Sequence, residues 1–296
     1  MDTHDGMECD FDLIIDRRAS DSAKWNKYGE EVIPLWVADM DFRSPEPVVR
    51  AICERVEHGV FGYALEPVEL RSVLVERLQR LYGWTVSEEA LVFLPCVMTG
   101  FNLATRTATS PGDGVLVQTP IYFPILRTPG FFDCTLDGAE LALQKDGSYA
   151  IDFGAFEAAI SERTRIFILC NPHNPVGRVF RRDELLRMAE ICLRHDIVIC
   201  SDEIHCDLLL GGSRHVPIAS LAPEIADRTI TLMAPTKTFN IAGIRCSVAI
   251  VENNDLRERF TAARSGIVPA TMGALDYAAT LAAFRDGQPW LTALLC

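Results

Sequence analysis

Side chains that could do covalent or acid–base chemistry are concentrated in three short segments, residues 171–178, 201–207 and 236–240. Lys237 stands between two threonines in the last of them. A lysine that is kept partly from water loses its proton more readily and can attack an aldehyde. Most lysines are solvated surface groups, so this chemistry depends on where the fold places Lys237.

The other two segments each carry a residue that could hold a polar ligand. Asp202 follows an apolar run, and its carboxylate could pair with a cationic ring nitrogen or could simply cap a helix. Asn174 lies in a loop with two X–Pro bonds, which could be an ordinary turn. Its amide could also hydrogen-bond a phenolate oxygen or a carboxylate. Pyridoxal 5′-phosphate (PLP) needs a carboxylate beside its ring nitrogen, because the protonated pyridine ring is a better electron sink for a carbanion than the neutral ring.

Short apolar runs precede the three segments and indicate the elements that position them. Their nearly continuous apolar character is expected of strands buried on both faces. Amphipathic stretches between the runs predict helices, so the chain reads as an α/β fold with a mostly parallel sheet. Ligands bind beyond the carboxyl ends of such strands, which is where the three polar segments fall. The predicted strands are 91–94, 114–118, 165–170, 196–200, 228–233 and 246–251, and the predicted helices include 48–58, 69–82 and 182–194.

The composition argues against several classes of function. The chain has 296 residues, 49% hydrophobic and 23% charged, which is typical of a globular protein. Its net charge of −13, from 41 acidic and 28 basic residues, argues against a nucleic-acid binder. No apolar run approaches the roughly 18 residues of a membrane span, and the first five residues lack the features of a secretory signal. Ten cysteines without a CxxC pair predict a reduced, cytoplasmic protein without a metal site.

The three segments together resemble the signature segments of fold-type I PLP-dependent enzymes, the aminotransferase class I/II superfamily, and they occur in the same order. The wording WVADMDF at residues 36–42 and DEIH at residues 202–205 resembles the cystathionine β-lyase branch (MalY/PatB type). The similarity runs from about Phe11 to the end of the chain. It implies the aspartate aminotransferase fold, with helices on both faces of a mostly parallel sheet, and PLP as the cofactor.

The resemblance implies a role for each polar residue near the cofactor ring. Lys237 would hold PLP as a Schiff base and later move protons. Asp202 would pair with the pyridine nitrogen, and Asn174 would hydrogen-bond the ring's 3′ oxygen. His205 falls where related enzymes place a tyrosine that contacts the same oxygen, and Tyr122 matches an aromatic residue that stacks on the ring.

The cofactor phosphate would be held by a further set of groups. The resemblance assigns to it the backbone N–H groups of Val97 and Met98 at a helix start, with Thr236 and Arg245. Tyr63 matches a residue that reaches the phosphate of the partner subunit, which implies a homodimer with a shared active site. From the residues alone, a surface salt bridge for Arg245 and core packing for Tyr63 are equally open.

Two departures from the family pattern shape the expectations. Cys96 stands where the family usually has glycine, so its Cβ is expected to narrow the backbone approach to phosphate. The family's C-terminal small domain, whose arginine binds the substrate carboxylate, is expected to have no counterpart among these 296 residues. We therefore expect residues 1–46 to form an arm and part of a small domain, and residues 47–296 to form the PLP-binding large domain, with the C-terminal small domain absent.

The implied activity is a PLP-dependent carbon–sulfur β-lyase that cleaves L-cystathionine or an L-cysteine-type substrate to a thiol, pyruvate and ammonia. An aminotransferase of the class I/II type shares every cofactor contact and is one alternative. A catalytically inactive or regulatory homologue that keeps only the large domain is the other. Release of pyruvate without an added keto acid distinguishes a lyase from both.

Overall fold

The structure, a computed structural model, describes residues 9–296. The first eight residues of the predicted N-terminal arm lie outside the described residues. Within the described part of the chain, the strands are β1 (Leu91–Leu94), β2 (Gly114–Thr119), β3 (Thr135–Glu140), β4 (Ala142–Leu143), β5 (Tyr149–Ala150), β6 (Thr164–Cys170), β7 (Val198–Asp202), β8 (Thr229–Met233) and β9 (Ser247–Ile250).

Helices connect these strands in an alternating order. Strands that alternate with helices form parallel sheets, because each helix crosses over to the start of the next strand. The helices are α1 (Ala23–Asn26), α2 (Glu46–Glu57), α3 (Leu70–Tyr82), α4 (Val97–Ala108), α5 (Phe123–Arg127), α6 (Phe153–Ala158), α7 (Arg182–Arg194), α8 (Pro223–Ala226), α9 (Pro235–Thr238), α10 (Asn254–Arg264), α11 (Ala274–Asp286) and α12 (Gln288–Leu295).

Seven strands form the central sheet in the order β1-β9-β8-β7-β6-β2-β3. Neighbours from β8 to β3 are parallel, whereas β9 runs antiparallel to both β8 and β1. The prediction of an α/β fold with a mostly parallel sheet is confirmed. β3 was not predicted, because most of its residues are exposed and because Asp137 and Gly138 leave it without a continuous series of apolar residues.

The central strands are buried on both faces, which explains their continuous apolar character. Along β6, Phe167 and Leu169 pack in one core cluster with residues of α7. The alternate residues Ile166 and Ile168 pack in a second cluster with residues of α4 and α10. Because successive side chains of a strand point to opposite faces, the sheet has helices on both sides.

The N-terminal segment lies against the last helix. The ring of Phe11 is 5.1 Å from that of Phe42 and 5.8 Å from that of Trp290 in α12, both edge-to-face. Trp290 also donates its indole N–H to the backbone carbonyl of Arg43 at 3.1 Å. Phe11, Phe42 and Arg43 are thereby held beside α12. No helix among residues 9–296 has the length and apolar character needed to cross a membrane.

Candidate active site

The predicted polar residues follow strands whose carboxyl ends share one edge of the sheet. Strand β6 leads into the loop of Asn174, β7 ends at Asp202, and β8 leads through a short bend to Lys237. Strand β2 leads to Tyr122, and β1, which runs in the same direction, leads into α4 at Val97. The parallel order therefore gathers loops that are up to 140 residues apart in sequence, as expected for ligand sites in α/β sheets.

Asp202 is a buried carboxyl group, and it has no cationic partner among residues 9–296. It retains 4% of its exposure, and its Oδ1 accepts the backbone N–H of Ile204 at 3.1 Å. Burial raises the pKa of Asp202 to about 7, and the charge of Glu203 adds to the rise. No helix begins at Asp202, because residues 204–207 form a turn, so the helix-cap interpretation is not what the fold shows. A cationic ligand at this position would stabilise the ionised carboxylate.

Lys237 lies half-buried in α9, directly after β8. Burial lowers the pKa of its amine, and the charge of Asp39 acts in the opposite direction. The amine donates a hydrogen bond to the backbone carbonyl of Ala38, across 3.1 Å. Lys237 is therefore not a solvated surface group; a larger share of neutral amine makes it a better nucleophile.

His205 lies close to Lys237. Burial, and then the positive charge of Lys237, lower the pKa of His205 to about 4. The imidazole is therefore neutral at physiological pH, and one of its nitrogens can accept while the other donates. A neutral histidine can donate to an oxygen anion without adding a second positive charge beside Lys237.

Tyr122 lies at the start of α5 with its ring partly exposed. Burial raises the pKa of Tyr122, and the charges of Asp202 and Cys96 raise it further, which places all three groups in one neighbourhood. The buried His173 holds the loop between β2 and α5 against the end of β6. Its ring nitrogens lie 3.0 Å from the carbonyl oxygen of Cys170 and 2.8 Å from that of Pro120. His173 was not singled out in the sequence, although it lies in the 171–178 segment.

The loop of Asn174 is anchored to the strand that carries Asp202. The backbone N–H of Asn171 donates to the carbonyl of Asp202 at 2.9 Å. The side-chain Oδ1 of Asn171 accepts the N–H of Phe180 at 3.0 Å, while its buried Nδ2 has no hydrogen-bond partner among the described residues. Asn174 is half-buried, in a loop that these hydrogen bonds of Asn171 anchor to β7 and to Phe180.

The N-terminus of α4 presents the predicted phosphate-binding amides. Val97 and Met98 are its first two residues, and the N–H groups of a first helical turn have no partner within the helix. Cys96 precedes them with a φ of −163°, an extended conformation that any residue adopts. Its sulfur lies 3.3 Å from the Thr99 hydroxyl, so the side chain is turned back onto the helix.

Three other predicted residues differ in their surroundings. Thr236 is half-buried beside Lys237, whereas Arg245 is exposed. Tyr63 is fully exposed, so core packing does not occur in the described chain. The predicted roles of Arg245 and Tyr63 thus concern groups that project outward.

A buried ionic network beneath Lys237 was missed in the sequence. Asp207 accepts hydrogen bonds from the hydroxyls of Tyr82, at 2.8 Å, and Thr238, at 2.9 Å. Arg77 on α3 forms an ion pair with Asp207 at 2.9 Å, and the two side chains retain 4% and 7% exposure. The available signal was Arg77 itself, a charged residue on the same helical face as Leu70 and Leu74.

A second buried pair lies directly beside Asp202. Glu203 and His215 are fully buried, with 2.6 Å between Oε2 and Nε2. Ser201 donates its hydroxyl to Oε1 of Glu203 at 2.8 Å, and the N–H of Ile218 donates to the same oxygen at 3.2 Å. Together these contacts fix the turn that carries Asp202 and His205.

The sequence profile of the family described as "Aminotransferase class I and II" matches residues 30–294. This chain belongs to the aminotransferase class I and II family. Cystathionine beta-lyase PatB of Bacillus subtilis is 41% identical over 96% of this chain and 75% of its own length. Protein MalY of Escherichia coli is 30% identical over 96% of this chain and 74% of its own length.

Solved structures give the same relationship. The crystal structure of OvoB superimposes with a TM-score of 0.92 and 45% identity, over 96% of this chain and 75% of that one. Cystalysin from Treponema denticola, whose structure contains PLP, has a TM-score of 0.93 and 34% identity over 98% and 75% of the two chains. A PLP-bound C–S lyase from Staphylococcus hominis has a TM-score of 0.89 and 34% identity, over 98% and 74%.

Proposed function

We propose that this chain is a PLP-dependent carbon–sulfur β-lyase that converts L-cystathionine or an L-cysteine-type substrate to a thiol, pyruvate and ammonia. The observation that carries the proposal is that a buried Asp202 at the end of β7 and a half-buried Lys237 just beyond β8 lie at the carboxyl ends of two neighbouring parallel strands. The names of two relatives support the reaction type: cystathionine beta-lyase PatB and the C–S lyase from Staphylococcus hominis.

The residues present fit PLP. A buried carboxyl with a pKa of about 7 and only one N–H donor lacks the cation that would stabilise its ionised form. The protonated ring nitrogen of PLP would supply that cation. The amine of Lys237, with its lowered pKa, would react with the aldehyde.

Side chains and the start of α4 would make the remaining contacts with the cofactor. Asn174 and His205 would donate hydrogen bonds to the ring's oxygen substituent, and Tyr122 would lie on the ring face. The first N–H groups of α4 would donate hydrogen bonds to the phosphate, and the positive end of the helix dipole would attract its negative charge. The side chains around the phosphate would be Thr236, Arg245 and, from a second copy of the chain, Tyr63.

A homodimer is part of the proposal. Tyr63 is accompanied by other exposed apolar side chains in the same segment, among them Phe61 at 60%, Leu65 at 88% and Val68 at 100% exposure. Contiguous exposed apolar side chains favour association with another protein surface. We propose that a second copy covers this segment, that residues 1–46 form an arm and part of a small domain beside the PLP-binding domain of residues 47–296, and that the protein acts in the cytoplasm.

The chemistry divides between the cofactor and the chain. Bound PLP supplies an electron sink for the carbanion that forms at the substrate Cα. Lys237 would take the proton from Cα and would return protons to later species, as a general base and acid. Asp202 would hold a fixed negative charge at the ring nitrogen, which is electrostatic preorganisation. The loops of Asn174 and His205 would orient the ring so that Cα faces Lys237.

The test is pyruvate release from L-cystathionine by the PLP-loaded protein without an added keto acid. Turnover that is lost in Lys237→Ala supports the lyase. Transfer of the amino group only when a keto acid is added would instead indicate an aminotransferase. Stable PLP attachment without either reaction would indicate an inactive homologue.

A further inference from the structure

Residues 38–44 form a segment that lies directly against the Lys237 side chain. The carbonyl oxygen of Ala38 accepts the hydrogen bond from the Lys237 amine at 3.1 Å. A cavity of about 600 Å³ lies beside the same segment and is lined by Lys237, Asn240 and residues near Lys24. The segment is therefore not held by close packing alone, and it has room to move unless polar contacts fix it.

Asn240, three residues after Lys237, fixes the segment from the inner side. Its Oδ1 accepts the backbone N–H of Met40 at 2.8 Å. Its Nδ2 donates to the carbonyl of Met40 at 3.1 Å and to that of Phe42 at 2.8 Å. The hydroxyl of Ser44 donates to the Asn240 carbonyl at 2.8 Å. One side chain thus satisfies three main-chain groups of the 38–44 segment.

The backbone of Asn240 explains why this residue type fits. Its φ is +53°, in the left-handed region that glycine and asparagine tolerate best. Glycine would adopt this conformation but would have no side chain to hold the segment. Aspartate could accept the Met40 N–H but could not donate to the two carbonyls.

Ion pairs hold the same segment from the outer side. Arg17 contacts Asp39 at 2.6 Å and Asp41 at 2.7 Å. Lys24, with 8% exposure, contacts Asp41 at 2.7 Å and donates to the carbonyl of Asp39 at 2.8 Å. The indole N–H of Trp25 donates to Asp41 at 2.7 Å. These contacts leave the Ala38 carbonyl facing Lys237 while the neighbouring main-chain groups are fixed.

We propose that Asn240 is a positioning residue, which holds the 38–44 segment so that the Ala38 carbonyl directs the free Lys237 amine toward the substrate Cα. This inference rests on the proposed function. Lysine has a long flexible stem, so a fixed acceptor limits where its amine can go. Misplacement of a catalytic group by about 1 Å can cost up to about 100-fold in rate.

The experiment compares Asn240→Gly with the wild type as full-length chains. The glycine variant keeps the backbone conformation and removes all three side-chain contacts. Hydrogen exchange of the Met40 amide, measured without and with PLP, reports the contact itself. Exchange of the Cα hydrogen of L-alanine with D₂O reports proton transfer by Lys237 without any elimination step. PLP attachment is followed by its visible absorption.

We expect Asn240→Gly to increase Met40 amide exchange at least tenfold and to slow alanine Cα exchange roughly 10- to 100-fold. PLP attachment should change less than threefold. Asn240→Asp should show a smaller loss, since it keeps one contact of three. Asn253→Gly is the matched control, because Asn253 makes comparable side-chain contacts at the start of α10, with Leu256 and Asp227. It should leave both exchange rates unchanged.

Two results would overturn the inference. One is a Met40 amide in Asn240→Gly that exchanges as slowly as in the wild type. The other is faster exchange of that amide together with alanine Cα exchange within twofold of the wild type. If Asn240→Gly does not fold, Asn240→Asp and Arg17→Met carry the same test, and unchanged alanine exchange in both would overturn the inference. A wild-type protein that exchanges the alanine hydrogen but releases no pyruvate from L-cystathionine would refute only the proposed lyase function.

Discussion

The hydroxyl of Thr238 donates to Oδ2 of Asp207 at 2.9 Å and so joins the residue next to Lys237 to the loop that follows Asp202. The same carboxylate pairs with Arg77, which lies on α3 far away in the sequence. Through these contacts, α3 supports the helix that carries Lys237. The stability of the fold and the placement of the amine are thus connected at one buried carboxylate.

Asp207→Asn should therefore destabilise the protein. Removal of the charge leaves Arg77 buried with no anionic partner, which costs about 3–5 kcal/mol in comparable cases. Urea unfolding of the cofactor-free protein at pH 7 measures the change in the free energy of unfolding. Asp183→Asn is the control, because Asp183 is 72% exposed in its ion pair with Arg181 and should change stability by less than about 0.5 kcal/mol. Equal effects of the two substitutions would contradict this role of Asp207.

The raised pKa of Asp202 predicts a pH-dependent stability of the cofactor-free protein. The folded state binds the Asp202 proton more tightly than the unfolded chain does, with a pKa of about 7 in place of 3.8. The stabilisation from this tighter proton binding is therefore present at low pH and is lost as the pH rises from about 4 to about 7. The free energy of unfolding should fall by up to about 4 kcal/mol over that range. Asp202→Asn should be more stable than the wild type at pH 8 and similar to it at pH 4.

The measurement for this prediction is urea unfolding of both cofactor-free proteins across that pH range. Other titrating groups, such as His205 with its lowered pKa, contribute equally to both and cancel in the difference. A difference in stability that does not vary with pH would show that Asp202 is ionised in the cofactor-free fold. The same substitution should leave PLP attached but should reduce turnover at least 100-fold, if Asp202 is the electrostatic partner of the ring.

The position of Tyr122 predicts a contribution of its ring to PLP affinity. Tyr122→Ala should raise the dissociation constant of PLP about fivefold, since an aromatic stacking contact contributes about 1 kcal/mol. Tyr122→Phe keeps the ring and should change the constant less than twofold. Titration of the cofactor-free proteins with PLP, followed by absorbance, gives both values. An affinity that is the same in Tyr122→Ala as in the wild type would exclude stacking.

The sequence predicted those parts of the site that depend on the position of a residue directly after, or at the end of, a strand. Lys237, Asp202 and Asn174 each follow a parallel strand, so their common edge could be inferred from the apolar runs before them. The antiparallel direction of β9 could not, because a strand buried on both faces has the same pattern in either direction.

Contacts between distant segments could not be predicted from local patterns. The pairing of Ala38 with Lys237, and of Arg77 with Asp207, joins residues that meet only when α3 and the N-terminal segment pack on the finished sheet. The exposed Tyr63 also gave no local signal, since nothing around it in sequence separates a surface residue from a core residue.

The visible absorption spectrum of the protein with PLP, recorded beside the spectra of Lys237→Ala and Lys145→Ala, shows whether Lys237 is the residue that holds the cofactor. Lys145 is an exposed lysine in the loop between β4 and β5 and serves as the matched control. We predict a band of covalently attached PLP in the wild type and in Lys145→Ala, and its loss in Lys237→Ala. After borohydride reduction, the cofactor mass should lie on the peptide that contains Lys237. A band that persists in Lys237→Ala would contradict the assignment of Lys237 as the residue that holds the cofactor.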